Sequence, residues 1–200
     1  MHGPGDVRFF DRVARLYDRF APPTDPEPIW AGLARADRPV ERVLDLAGGT
    51  GRAARAIAAP VGTARTPETV VVDASRRMLT HAADRGTTAV QGDAGRLPVR
   101  DAATDAVVVL DALHHLPDQA AALAEAARVL RPGGVLVIRE YDPGTLRGRA
   151  LVAAERAVGF DSTFWGPDAW AAAVDDAGLV PTVLDRGFAF TVVGKKRESH

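Results

Sequence analysis

Asp45, Asp73, Asp93, Asp111, His114 and His115 are the residues of this chain whose types and neighbours could do chemistry. Asp45 lies inside Val43-Leu44-Asp45-Leu46-Ala47-Gly48-Gly49-Thr50-Gly51, an apolar run that breaks into glycines. Beyond it, Ala53, Ala54, Ala56 and Ile57 open a helical pattern. A strand, a glycine turn and a helix in that order point backbone N–H groups outward. The glycines also let a ligand approach the main chain without meeting a Cβ. This is a nucleotide-type binding loop, and two ligands compete for it. Gly49-Thr50-Gly51-Arg52-Ala53-Ala54 fits the G-x-G-x-x-A dinucleotide pattern, with Asp73 placed as a ribose-binding acid. Asp45 weighs the other way. A carboxylate faces a pyrophosphate unfavourably but suits the ammonium of S-adenosylmethionine (SAM), which has an amino-acid end, a ribose and an adenine and no phosphate.

The remaining candidates fall at comparable places. Asp73 ends the run 69–72 and could accept from both ribose hydroxyls, while Ser75 behind it is a natural helix N-cap. Asp93, after the run 88–91, could accept from an adenine amino group. Asp111-Ala112-Leu113-His114-His115-Leu116 follows the most apolar run, 105–110, which belongs at the centre of a parallel sheet. In open α/β sheets ligands gather outside the carboxyl ends of the strands, so this loop should line the site. One histidine is expected to face the pocket and the other to hydrogen-bond within the loop. Adjacent histidines lack metal-ligand spacing, and with no cysteine and no third ligand nearby no metal is expected.

The elements that must position these groups follow from periodicity. Apolar residues at three- and four-residue spacing predict an amphipathic helix over 7–20, with Tyr17 presented to the site if that helix is a lid. Prolines make 21–28 a linker, and a short helix follows at 29–36. Helices are predicted from 53, at 75–84, 118–130 and 149–158, and at 167–178 with proline at its start and glycine at its end. Arg131-Pro132-Gly133-Gly134 stops the helix at 118–130 before a strand at 135–138. Two closing strands, 180–184 and 188–193, form a hairpin about Asp185-Arg186-Gly187. The aromatics of 160–165 belong either to the core or to a substrate-covering segment.

Two hundred residues at 46% apolar content suffice for one well-packed domain. A net charge of −1 argues against a nucleic-acid binder. The absence of cysteine excludes disulfides and thiolate nucleophiles. No apolar run reaches the ~20 residues of a membrane span, and the first residues lack a secretory pattern, so a cytoplasmic protein is expected.

Four stretches, taken together and in order, resemble the class I SAM-dependent methyltransferases of the ubiquinone/menaquinone-biosynthesis group. These are the run 43–51; Asp73-Ala74-Ser75-Arg76-Arg77-Met78-Leu79; Gln91-Gly92-Asp93-Ala94; and 111–116, closed by Leu130-Arg131-Pro132-Gly133-Gly134. Phe9-Phe10-Asp11-Arg12-Val13-Ala14 with Tyr17-Asp18 is also similar. The resemblance implies a Rossmann-like, seven-stranded, mostly parallel α/β sheet with an antiparallel last strand and helices on both faces. It implies a SAM-binding domain at 39–200 preceded by an N-terminal helical cap at 1–38, in a single domain overall. It also implies that Asp45, Ala47, Gly48, Gly49 and Gly51 hold the methionine end of SAM, Asp73 and Ala74 the ribose, and Asp93 and Ala94 the adenine. Tyr17, Met78 and Asp111 complete the cofactor set. Ala47 stands where the family has glycine, a change tolerable if its φ is negative.

The expected activity is methyl transfer from SAM, giving S-adenosylhomocysteine, to a small apolar or aromatic acceptor. His115 and His114 are the candidate bases, since imidazole titrates near pH 6.5; Tyr17 and Tyr141 could orient substrate or cofactor. A SAM-binding protein without catalysis is the alternative. An NAD-dependent oxidoreductase is disfavoured by Asp45 and by the absence of a Tyr-x-x-x-Lys pair.

Overall fold

The computed structural model describes residues 24–58, 66–160 and 162–198. The helix expected at 7–20, and Tyr17 with it, lies outside the described residues. Those described form a seven-stranded sheet in the order β3-β2-β1-β4-β5-β7-β6. The strands are β1 (Arg42–Leu46), β2 (Glu68–Asp73), β3 (Thr88–Gln91), β4 (Thr104–Leu110), β5 (Leu130–Tyr141), β6 (Val180–Asp185) and β7 (Ala189–Lys195). All neighbours pair in parallel except β7, which runs antiparallel to both β5 and β6. The expected sheet with its reversed last strand is therefore present.

Six α-helices cover the sheet among the described residues: α1 (Glu27–Leu33), α2 (Arg52–Ala58), α3 (Arg76–Ala83), α4 (Gln119–Val129), α5 (Leu146–Ala157) and α6 (Pro167–Asp176). Period-2 alternation divides the core between two faces. On one, Ala106 and Val108 of β4 and Val135 and Val137 of β5 pack against Ile29 and Leu33 of α1 and Ile57 of α2. On the other, Val107, Val109, Leu136 and Ile138 meet Leu123 and Ala126 of α4 and Trp170 and Val174 of α6. Every residue of β4 except Leu110 is buried, as its apolar run requires. Each such large side chain contributes about 1.5–3 kcal/mol of burial.

Two boundaries differ from the pattern-based expectation. α1 begins at Glu27, not 29, because Pro28 sits in its first turn, where a missing N–H costs nothing. Its Ile29 and Leu33 are core residues, so this part of the expected cap belongs to the main fold. The strand expected at 135–138 runs from Leu130 to Tyr141, because Arg131-Pro132-Gly133-Gly134 ends α4 and also begins pairing. Leu130 pairs with Thr104 across a register shift, Gly133 takes φ +75°, and Lys196 closes the gap with backbone hydrogen bonds to Gly133 and Gly134. A Cβ at Gly134 would meet the Asp105 carbonyl at 2.6 Å.

Asp105, at the amino end of β4, is a buried charge that the sequence pattern does not single out. Its carboxylate accepts the N–H groups of Glu41 and Arg42 and pairs with Arg131 and Arg38, both at 2.9 Å. Burial would raise its pKa, but these donors outweigh burial and hold it below the usual carboxylate range. It ties the amino edge of the sheet together, opposite the functional edge.

Candidate functional site

Strand order reverses between β1 and β4, and the crevice outside their carboxyl ends is where an α/β sheet places its ligand. Asp45, Asp73, Asp111 and Glu140 all stand at or near those ends, on four strands or the loops that follow them. The sequence predicted the first three. Glu140 was missed, since Arg139 beside it lets it pass for part of a solvated strand end.

The loop after β1 is shaped by its own residues. Ala47, Gly49 and Gly51 take φ of +52°, +55° and +78°. The condition set for Ala47, a negative φ, is not met: a methyl-bearing residue occupies the left-handed region, at a cost of about 1–2 kcal/mol. Gly48 is required for another reason, since a Cβ there would run into the Asp45 carboxylate. Gly51 N–H closes the turn onto Gly48 carbonyl at 2.8 Å.

Asp45 is 0% exposed. Its Oδ2 accepts the Ala54 N–H at 3.0 Å, bracing the first turn of α2, and its Oδ1 has no hydrogen-bond partner. Burial pushes its pKa up to about 7, and the Ala54 N–H and the arginines Arg55 and Arg52 only partly oppose this. An orphaned carboxylate oxygen beneath a glycine loop fits a cationic ligand group. It does not fit a pyrophosphate.

Asp73 spans the same loop. Its Oδ2 accepts Gly49 N–H at 2.9 Å and its Oδ1 accepts Ser75 N–H at 2.7 Å. Ser75 caps α3 as expected, accepting from Met78 N–H at 3.2 Å. The Asp73 carboxylate is thereby fixed in orientation at the mouth of the loop. Ala74 is exposed beside it, whereas Met78 is buried within α3. Asp93 is exposed and accepts Gly95 N–H at 2.9 Å, an Asx turn that carries Ala94. Gly92, before it, donates to the Asp73 carbonyl, which brings the two aspartates' loops side by side. Asp111 also has a positive φ, +51°. Its Oδ2 receives the Arg52 guanidinium and the Tyr141 hydroxyl, each at 3.2 Å. Burial and the Glu140 charge raise its pKa.

The two histidines lie on a 3₁₀ turn, Leu113–His115, and separate completely in role. His114 is 3% exposed and turned inward. Its Nδ1 lies 2.6 Å from Glu140 Oε2, and its Nε2 3.7 Å from Glu155 Oε1 on α5. Glu140 Oε1 accepts the N–H groups of Ala112 and Leu113, so one carboxylate holds the whole turn. Burial alone would lower the pKa of His114, yet the two carboxylates outweigh it and push it up to about 10. A histidine held protonated has no lone pair with which to accept a proton.

His115 is half-buried, its Nδ1 3.1 Å from Ser162 Oγ and its ring 5.0 Å from Phe160. Phe164 stacks on His114 at 4.2 Å, Thr163 N–H donates to the His114 carbonyl, and Gln119 bridges the Leu113 and Thr163 carbonyls. Phe160 and residues 162–164, whose aromatics the sequence left between core and cover, are thus fastened over the histidine turn. Glu155 is also the third donor that was not expected: His114, His115 and Glu155 bring one ligand atom each within 4.8 Å of one another. Sequence spacing missed it because Glu155 lies 40 residues downstream. The His114 imidazolium turns Nδ1 to the Glu140 carboxylate and Nε2 to that of Glu155, so its own charge balances theirs.

Comparison with known proteins agrees with this geometry. A methyltransferase-domain family model matches residues 44–138. A demethylmenaquinone methyltransferase of Mycobacterium sp. (strain KMS) is 37% identical over 151 residues, 73% of this chain and 64% of the relative. The enzyme of the same name from Mycobacterium tuberculosis is 38% identical over 148 residues, covering 71% and 61%. The chain therefore spans less than two thirds of the length of these relatives. Among solved structures, a SAM-dependent methyltransferase of Thermotoga maritima superposes with a TM-score of 0.78 at 22% identity, over 95% of this chain and 99% of that one. A phosphoethanolamine N-methyltransferase of Haemonchus contortus, in complex with S-adenosylhomocysteine, gives 0.72 at 16% identity over 96% and 58%.

Proposed function

The chain belongs to the class I SAM-dependent methyltransferases, and on that footing we propose that it methylates a small aromatic acceptor of the quinone type. The observation that carries the cofactor half of this reading is Asp45 Oδ1, a buried oxygen without a partner beneath a glycine loop, beside the fixed carboxylate of Asp73. The acceptor class is supported by the name shared by the curated relatives and by the aromatic rings of Phe160 and Phe164 around the histidine turn.

When bound, SAM supplies a methyl group on a sulfonium whose departure needs no acid. The chain's own residues then bind, align and take up a proton. Asp45, with Ala47, Gly48, Gly49 and Gly51, receives the amino-acid end; Asp73 and Ala74 receive the ribose hydroxyls, and Asp93 and Ala94 the adenine. Met78 contributes by packing α3 beneath this edge. Alignment of this kind lowers a barrier by ~7–11 kcal/mol. Asp111, braced by Arg52 and Tyr141, completes the set that would hold the cofactor. His115 would take the acceptor's proton; His114, held as a cation, anchors the turn. Base catalysis adds roughly 10²- to 10⁴-fold.

A calorimetric titration with SAM, S-adenosylhomocysteine and NAD in parallel, followed by mass spectrometry of a hydroxynaphthoquinol panel incubated with SAM, tests the proposal. Micromolar binding of the first two and a methylated quinol support it. SAM binding without turnover of any acceptor would favour a non-catalytic SAM-binding protein, and binding of NAD alone would overturn the reading.

A further inference from the structure

Of α5, only Gly148, Leu151, Val152 and Glu155 are buried or half-buried; every other residue is exposed. At 3.6 residues per turn, Leu146, Ala150, Ala153 and Ala157 form one stripe along the exposed side. An apolar stripe of this spacing ordinarily faces a core. Leu146 is 84% exposed and Val158, the C-cap, 61%. The two most exposed large apolar side chains among the described residues thus stand at the two ends of one helix. Arg149 and Arg156 border the stripe on one flank and Arg147 on the other. None of the three has an acid three or four residues away, and among the described residues none pairs with a carboxylate. Arg147 stands in the first turn, where the helix dipole disfavours a cation. These charges serve neither the helix nor its packing.

We propose that the outer face of α5 docks the chain on an anionic lipid surface, with Leu146 and Val158 entering the headgroup layer and the three arginines meeting lipid phosphates. An apolar stripe between cationic flanks is the form of helix that lies in such an interface. The arginine stems add apolar contact while their guanidinium groups stay at the phosphates. A second copy of the chain does not fit, because a two-fold contact would set arginines against arginines. A nucleic acid would leave Leu146 and Val158 without a role. No helix of the described residues is long and apolar enough to cross a membrane, so α5 docks without spanning. Its inner side carries Glu155 to 3.7 Å from His114, which sets a docked bilayer one helix diameter, roughly 10–12 Å, from the histidine turn. That placement suits an acceptor dissolved in lipid. This last link rests on the reading of a quinone-type acceptor; the docking itself does not.

Co-sedimentation of the full chain with large unilamellar vesicles tests this. It needs neither SAM nor acceptor, so its result is separate from whether the chain methylates anything. The chain should bind vesicles of phosphatidylcholine mixed with phosphatidylglycerol, bind phosphatidylcholine alone far less, and be released by raised salt. Each arginine contributes about fivefold to binding at an anionic surface, so Arg147→Gln, Arg149→Gln and Arg156→Gln combined should weaken binding to the mixed vesicles by about 10²-fold. Leu146→Gln should weaken it about tenfold on either kind of vesicle. All four side chains are exposed, so their replacement leaves the fold intact. Equal binding to both vesicles, binding to neither, or binding that the triple variant retains would overturn the proposal. So would a dimer in light scattering that the triple variant dissolves, which would assign the face to a second copy.

Discussion

The half of the edge proposed to hold the cofactor and the half proposed to face the acceptor are built in different ways. At the carboxyl ends of β1 and β2, Asp45 holds Ala54, Asp73 holds Gly49 and Ser75, and Ser75 holds Met78; the partners are backbone N–H groups 2 to 24 residues apart. Beyond β4 and β5 backbone ties are joined by pairs between side chains, which span 26 residues for His114–Glu140, 41 for His114–Glu155 and 47 for His115–Ser162. The first half leaves a buried carboxylate oxygen unpaired, ready for a ligand's cation, whereas the second pairs its imidazolium with two carboxylates.

Substitutions should divide along that line. His115→Ala is expected to lower kcat by roughly 10²- to 10⁴-fold while the calorimetric affinity for SAM stays as in the wild type; a parallel loss of both would erase the distinction between the halves. Glu140→Gln removes one partner of a buried pair and should destabilise the fold by about 3–5 kcal/mol in denaturant unfolding. That loss should depend on pH with a definite sign. The pKa of His114 is raised in the folded chain, so the stability it contributes is full below pH 6.5 and fades as pH rises toward about 10.

Asp45 reverses the usual behaviour of a carboxylate. Its pKa is raised from 3.8 to about 7, so the stability linked to its protonated form is complete below pH 3.8 and is lost as pH rises through about 7. A shift of this size corresponds to at most about 4 kcal/mol. Asp45→Asn should therefore flatten the fall in melting temperature between pH 4 and 8 while weakening SAM binding at pH 8. If the melting curve of the variant tracks that of the wild type, the charge is not buried as described. Asp73→Ala should weaken SAM about 10²-fold, from two charge-assisted hydrogen bonds, and far more than His115→Ala does. The smallest effect is expected at Ala47: glycine there relieves a left-handed methyl but adds chain entropy, so melting temperature should rise by the equivalent of about 1 kcal/mol or less.

The cofactor half was legible because its contacts are local. The order strand, glycine turn and helix, with acids after successive apolar runs, is written in residues 43–54 and 69–78, and the structure arranges those segments along one edge of the sheet. The acceptor half was not. Glu140 sits between Arg139 and Tyr141 at the end of β5, and Glu155 stands among the arginines and alanines of α5. Nothing in either neighbourhood marks a partner for a histidine many residues away.

The sequence by itself determined the alternation of strands and helices, the buried central strand, the glycine loop and the cap at Ser75. Each of these depends on periodicity or on hydrogen bonds within a few residues, which composition encodes directly. Only the tertiary structure decided which of two adjacent histidines is a structural cation and which faces Ser162. It likewise decided that Ala47 takes a positive φ and that Asp45 is buried with an unpaired oxygen. Those outcomes depend on desolvation and on charges that strand order and helix packing bring together, and both are set by the assembled fold.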